Sequence, residues 1–141
     1  MILANRTLNV KKSKLPGAGQ GLFAKINFVK GDRIVEYKGR REPWNKVKAE
    51  DGYNGYLLRL NRTTAINALP YKKALGRFAN DAFGAGRKNG LRNNDEYQIY
   101  GDRCFIEATR SINIGDEVLV GYGQAFWVLQ KKIKATKTQR H

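Results

Sequence analysis

Short stretches in which apolar and polar residues alternate dominate this chain, and sustained helical periodicity is scarce. Arg33-Ile34-Val35-Glu36-Tyr37 has the period-two pattern of a half-buried strand. Gly55-Tyr56-Leu57-Leu58-Arg59-Leu60 and Thr64-Ala65-Ile66-Asn67-Ala68 predict a hairpin turning through Asn61-Arg62-Thr63. A second hairpin is predicted over Glu96–Tyr100 and Arg103–Ala108, around Gly101-Asp102. Leu22-Phe23-Ala24 and Glu117–Val120 read as further short strands, and a basic strand-like stretch runs from Asn9 to Lys14. Turns are expected at Val29-Lys30-Gly31-Asp32 and Ile114-Gly115-Asp116. A short helix is predicted from Pro43 to Asp51, since Pro suits a helix start and Gly52 ends the run. A terminal helix is predicted over Gln124–Lys134, carrying Phe126, Trp127 and Leu129. The stretch from Asp81 to Asp95, rich in Gly and Asn, reads as loop. Many short strands separated by frequent turns, with no internal repeat and no linker, predict a mostly-β fold.

Composition narrows what such a fold does. A chain of 141 residues with 41% hydrophobic content and seven Tyr, six Phe and two Trp can bury a single core. No stretch approaches the ~20 apolar residues that span a bilayer. The start, Met1-Ile2-Leu3-Ala4-Asn5-Arg6, lacks the pattern of a secretory signal, so a soluble intracellular protein with no membrane association is expected. The lone Cys104 excludes an internal disulfide and a cysteine-rich zinc cluster; a small core residue is the better reading of it than a nucleophile. The lone histidine is the final residue, His141, which argues against Ser-His and Cys-His chemistry. If the protein is an enzyme, its chemistry rests on tyrosine, carboxylate, backbone groups or a cofactor.

Net charge is +15, and no acid precedes Asp32 or follows Glu117, so both ends are purely basic. Such an excess suits a polyanionic partner held by long-range attraction and counterion release, or else is a solubilising surface. Asp81, Asp95, Glu96, Asp102 and Glu107 fall in one half of the chain and are candidates for a local negative patch toward a basic substrate.

Three separated segments carry the most information. Gly17-Ala18-Gly19-Gln20-Gly21 alternates Gly with other residues, which lets backbone approach a ligand closely, or simply makes a hairpin turn. A strand follows it where a dinucleotide fingerprint needs a helix, so the Rossmann reading fails. Gly76-Arg77-Phe78-Ala79-Asn80-Asp81 lies mid-chain, and Gly115-Asp116-Glu117-Val118-Leu119-Val120-Gly121-Tyr122-Gly123 near the end. In this order and spacing the three resemble the SET domain, the S-adenosylmethionine-dependent protein-lysine methyltransferase module. The likeness runs over roughly residues 8–127.

The resemblance implies a mostly-β SET fold (a β-clip of several short sheets with few short helices and a knot-like C-terminal threading). It implies a catalytic domain over residues 1–127, with 128–141 as a basic C-terminal helix or tail. S-adenosylmethionine would be the methyl donor, contacted by Ala18, Gly19, Gln20, Tyr56, Asn80, Asp81 and Trp127. Tyr122 aligns with the catalytic tyrosine, and Tyr37, in Tyr37-Lys38-Gly39, with a tyrosine lining the substrate-lysine channel. Apart from the family, Tyr37 and Tyr56 read as aromatics packing a sheet. Asp81 departs from the family histidine, and the family's Ser-x-Cys-x-Pro-Asn is replaced by a longer Gly-rich loop, with Asn93 or Asn94 at the final Asn position. The downstream cysteine cluster is missing, as in compact bacterial and viral members, and Phe126 and Trp127 would close the site instead. Val120, where members often carry Phe or Tyr, leaves room for di- or trimethylation. The acceptor implied is a lysine of a histone-like or ribosomal protein, with nucleic acid met through the basic ends and a homodimer as an open assembly. The location implied is the nucleus or chromatin in a eukaryote or an invaded host, and the cytoplasm in a prokaryote. The alternative function is an inactive SET-shaped basic module that binds chromatin or nucleic acid.

Overall fold

The computed structural model describes residues 4–51, 53–83 and 90–121. Its strands fall into three small antiparallel sheets of three strands each. In the first, β1 (Leu8–Lys12) and β2 (Gln20–Ala24) form a hairpin in register from Leu8 opposite Ala24 to Lys12 opposite Gln20. Gly17 and Gly19 in its connection both take φ of 73°, a left-handed conformation that costs glycine little. The far edge of β2 pairs with β9 (Glu117–Val118), so the first and last motifs share one sheet.

The second sheet sets β8 (Arg103–Ala108) between β3 (Arg33–Glu36) and β7 (Asp95–Tyr100). β7 and β8 form the predicted hairpin, closed at Gly101 with φ of 64°. In the third, β6 (Thr64–Asn67) lies between β4 (Arg40–Pro43) and β5 (Leu57–Arg59). β4 is not legible as a pattern, because Arg40-Arg41-Glu42-Pro43 has no apolar alternation. It is an edge strand held by backbone pairing from Arg40 opposite Asn67 to Pro43 opposite Thr64.

The short helix predicted from Pro43 to Asp51 forms over nearly that span, as α1 (Trp44–Val47) continued by a 3-10 turn at Lys48–Glu50. Pro43 still belongs to the strand, no side chain caps the start and only Val47 is buried, so little supports a longer helix. A second 3-10 turn at Leu75–Phe78 carries the Gly76-Arg77-Phe78 part of the middle motif. The predicted terminal helix lies outside the described residues. Among those residues no helix is long and apolar enough to cross a membrane.

The main core joins the first two sheets through Leu8, Leu22, Ile34, Ile106, Val118 and Val120. Burying each such side chain contributes about 1.5–3 kcal/mol. A second cluster of Tyr37, Leu60, Ile66, Ala68 and Cys104 joins the second sheet to the third. Cys104 is fully buried, and burial pushes its thiol up to about 12, so it serves as core. A small third cluster of Leu15, Ala82 and Leu119 seats the Gly-rich turn on the last segment.

That last segment is threaded. Leu119 makes a parallel bridge to Asn80, and Val120 a parallel bridge to Asp95, so residues 119–120 run between two other parts of the chain. Val120 N donates to Asn80 O at 2.8 Å, while Asn94 N and Asp95 N both donate to Leu119 O. Residues 119–120 lie where the family resemblance places the knot-like course, whose continuation past residue 121 is outside the described residues.

Candidate active site

The Gly-rich turn is fixed from beneath by a carboxylate one hundred residues away in the chain. Glu117 is buried; its Oε2 accepts the Ser13 hydroxyl at 2.6 Å and its Oε1 the Lys14 amide at 2.9 Å. Ser13 N in turn donates to Gly19 O at 2.8 Å. On the open side of the turn, a Cβ added at Gly17 or Gly19 would meet nothing within 4 Å. Ala18 is half-buried, and Gly19 and Gln20 are exposed. The turn therefore offers its main chain to a ligand while its other side is bolted to β9.

Asn80 links the middle motif to the same turn, since its Nδ2 donates to Gln20 O at 2.9 Å. Its neighbour Asp81 is buried, and its Oδ1 accepts from Phe83 N and from Asn93 Nδ2, both at 2.9 Å. Asn93 returns the bond by accepting Ala82 N at 2.8 Å. Asp81 thus ties Phe83 and Asn93, at the two ends of the 83–93 connection, to one carboxylate oxygen. Asn94 divides its amide between Leu119 N, which it accepts at 2.9 Å, and Glu117 O, to which it donates at 2.9 Å. Between Asn93 and Asn94 the structure separates two roles: Asn93 braces the loop and Asn94 clamps the threaded segment.

Tyr37 is buried, and its hydroxyl donates to Tyr56 O at 2.7 Å. The glycine two residues on is required by contact, because a Cβ at Gly39 would stand 2.6 Å from the Asn67 carbonyl. Tyr97 packs edge-on against Tyr37 with ring centroids 5.6 Å apart, so a second phenol from β7 joins the first. The Arg77 guanidinium lies 4.1 Å over the Tyr56 ring and donates to Ala68 O and Leu69 O. Tyr56 is thereby held between Tyr37 and Arg77. Tyr97 stands three residues after Asn94, where the family resemblance places an aromatic; its meeting with Tyr37 depends on the β3–β8–β7 order. Tyr122 and Trp127 lie outside the described residues.

The five acids do not form an exposed negative patch. Asp81 and Asp95 are buried, and Glu107 is engaged by Arg33 at 3.4 Å and by the Tyr100 hydroxyl at 3.0 Å. Only Glu96 and Asp102 are exposed. On the outer face of the second sheet both oxygens of Glu36 accept instead from Nε and Nη2 of Arg103, which keeps its carboxyl below the usual range. Asp95 is the unexpected one, with both carboxyl oxygens buried and neither hydrogen-bonded. Burial pushes its carboxyl up to about 8.

Residues 19–123 match the SET domain family. The chain is 29% identical over 133 residues to the N-lysine methyltransferase KMT5A of Xenopus tropicalis, a match covering 87% of this chain and 38% of that protein. It is 31% identical over 120 residues to the N-lysine methyltransferase KMT5A-A of Danio rerio, covering 77% of this chain and 33% of the relative. The chain thus spans about a third of the length of these relatives. A solved structure of a humanized mutant of the Chaetomium thermophilum Polycomb Repressive Complex 2 shares the fold, with a TM-score of 0.65 at 22% identity, over 85% of this chain and 15% of that one.

Proposed function

The chain belongs to the SET domain family, and from that premise we propose that it transfers a methyl group from S-adenosylmethionine to the side-chain amine of a protein lysine. The observation that carries the reading is the convergence of the three motifs. Glu117 holds Ser13 and Lys14 below the Gly-rich turn, and Asn80 holds Gln20 within it. The open main chain of residues 17–20 fits the amino-acid end of such a donor. Asn80, the Asp81 backbone, Tyr56 and Trp127 would complete its site.

The donor brings an activated methyl on a sulfonium; the protein's part is position and desolvation. Tyr37, held by its bond to Tyr56 O, forms one wall of a lysine channel, and Tyr97 buttresses it. A narrow apolar channel lowers the lysine pKa and favours the neutral amine that attacks. Tyr122 orients that amine with its phenolic oxygen and, through weak C–H···O contacts, the methyl as well. Val120, fully buried and smaller than Phe or Tyr, supports addition of more than one methyl.

The acceptor we propose is a histone or another basic, nucleic-acid-associated protein. The relatives are named as N-lysine methyltransferases, and the charge of +15 suits enzyme and acceptor meeting on a shared polyanion. A hollow of about 490 Å³ lined by Lys38, Pro70, Tyr71, Lys72, Lys73 and Ala74 adds to the basic surface on which a nucleic acid would rest. A chromatin or nucleoid location follows from that reading. The same charge favours the second reading, a SET-shaped binding module without turnover. Incubation with methyl-labelled S-adenosylmethionine and core histones decides between them. Label entering lysine establishes the enzyme, whereas salt-sensitive DNA binding without donor binding by calorimetry establishes the module.

A further inference from the structure

Six polar side chains are buried among the described residues, and five of them are satisfied: Ser13 and Glu117 by each other, Asn67 by Glu42 and Asn54, Asp81 by Asn93, and Asn94 by the 117–119 backbone. Asp95 is the sixth, 4% exposed, with no hydrogen-bond partner on either oxygen. A carboxyl in that state is costly and calls for a partner that the folded chain does not itself supply.

Its position says what the work is. Asp95 begins β7 opposite Ala108, with Tyr97 opposite Ile106, so Asp95 and Tyr97 share the inner face of the sheet. Tyr97 is the residue whose ring meets Tyr37. On its other side Asp95 bridges Val120 in parallel, and paired residues of a parallel bridge point the same way. Val120 precedes Tyr122 by two positions. The carboxyl therefore stands between Tyr97 of β7 and Val120, the described residue two positions before Tyr122.

We propose that Asp95 accepts the proton that the substrate lysine sheds at the inner end of the channel. This rests on the methyltransferase reading above. An N–H bond of the ammonium breaks, its electron pair stays on nitrogen as the attacking lone pair, and the proton forms an O–H bond on the carboxylate. The amine then attacks the methyl carbon as the carbon–sulfur bond breaks, and Asp95 returns its proton to solvent once product leaves. The incoming ammonium is the partner the carboxylate lacks in the free protein.

The surrounding charges leave that task to Asp95. Glu96, Arg103 and Glu107 occupy the opposite face of β7 and β8, and Arg103 and Glu107 are engaged there with Glu36 and Arg33. Asp81 and Glu117, on the segments that flank the threaded strand, are each held by their own donors, and the phenols of Tyr97 and Tyr37 share the inner side. Desolvation alone raises the Asp95 carboxyl to about 8, where a proton acceptor is effective near neutral pH.

The test measures kcat/KM against pH for wild type and Asp95→Asn, with methyl-labelled S-adenosylmethionine and mixed core histones, and donor affinity by calorimetry. Wild type should rise to a plateau near pH 8. Asp95→Asn should bind donor normally, lose about 10²-fold or more at neutral pH, and climb about tenfold per pH unit toward the lysine pKa of about 10.4. Asp95→Val, which removes an unpaired carboxyl from the core, should melt above wild type yet be as impaired as Asp95→Asn. A wild-type rate and pH profile in either variant, or a lower melting point in Asp95→Val, would overturn the proposal. Wild type that labels no lysine overturns the methyltransferase reading and this inference together, whereas loss confined to the variants bears on Asp95 alone.

Discussion

Gly21 and Glu117 lie so close that no carbon fits between them. A Cβ at Gly21 would overlap Oε2 of Glu117 and stand 3.1 Å from Cβ of Ser13. The glycine that closes the Gly-rich turn is therefore set by a carboxylate from the last motif, not by backbone conformation. Gly21→Ala should push Glu117 off Ser13 and weaken donor binding tenfold or more with a loss on the order of 1–3 kcal/mol in stability. Calorimetric titration and urea unfolding of the variant read both quantities; an unchanged donor affinity would contradict this coupling.

Glu117→Ala should act more severely. It strips the Ser13 hydroxyl and the Lys14 amide of a charged acceptor inside the protein. Each buried group left unsatisfied costs about 1–3 kcal/mol. Urea unfolding should show a lowered midpoint, and Glu117→Gln, which keeps the shape and one acceptor, should recover part of it.

Asn94 clamps the threaded segment with both ends of its amide, so Asn94→Asp should be worse than its size suggests. The donor to Glu117 O is lost and a carbonyl and a carboxylate are left facing each other. The expected loss is about 2–4 kcal/mol, read by thermal unfolding. Equal stability of Asn94→Asp and wild type would mean that the clamp is not what holds residues 117–119.

Removing the Tyr122 hydroxyl, by Tyr122→Phe, should lower turnover about 10²-fold or more with donor saturating. Tyr37→Phe should weaken substrate capture, because the hydroxyl that fixes the ring to Tyr56 O is gone. Val120→Tyr should shift the product toward a single added methyl. Mass spectrometry of the methylated acceptor checks this, and a wild type that adds only one methyl would remove the idea.

Asp95 also predicts how stability responds to pH. Its carboxyl is raised from 3.8 to about 8 on folding, so between these values the folded protein holds a proton that the unfolded chain has released. Stability must then fall as pH rises from about 4 to about 8. Glu36 works the other way and lower, since its depressed carboxyl contributes stability that is lost as pH falls below the range near 4.5. Urea midpoints at pH 5 and pH 8 should diverge in wild type and converge in Asp95→Asn.

The hairpins and the three motifs were legible because each is encoded locally. β7 and β8 fall within a residue of their predicted bounds, and the alternation at Arg33–Glu36 marks β3 directly. β4 was not legible, since an edge strand of Arg, Glu and Pro is held by backbone pairing that leaves no apolar trace. The roles of Glu117 and Asn80 were hidden for another reason. As sequence they are a turn and a polar pair, and only the pairing of β2 with β9 brings them onto the Gly-rich turn. Asp95 read as one of several acids near the cleft; burial, which no local pattern carries, separates it from Glu96 beside it.

The seating of residues 119–120 between two earlier segments sets an order of events in time. Ser13 and Glu117 are 104 positions apart, and the bridges to Asn80 and Asp95 need both walls of the passage before anything can lie in it. Closing loops of that span is slow, and the entropy is lost before any contact compensates it. During synthesis the Gly-rich turn must wait, unsupported, until residue 117 has left the ribosome. The second and third sheets can pair before β9 is made, whereas the Gly-rich turn gains its buried anchor only when β9 pairs with β2, so that turn is fixed after them.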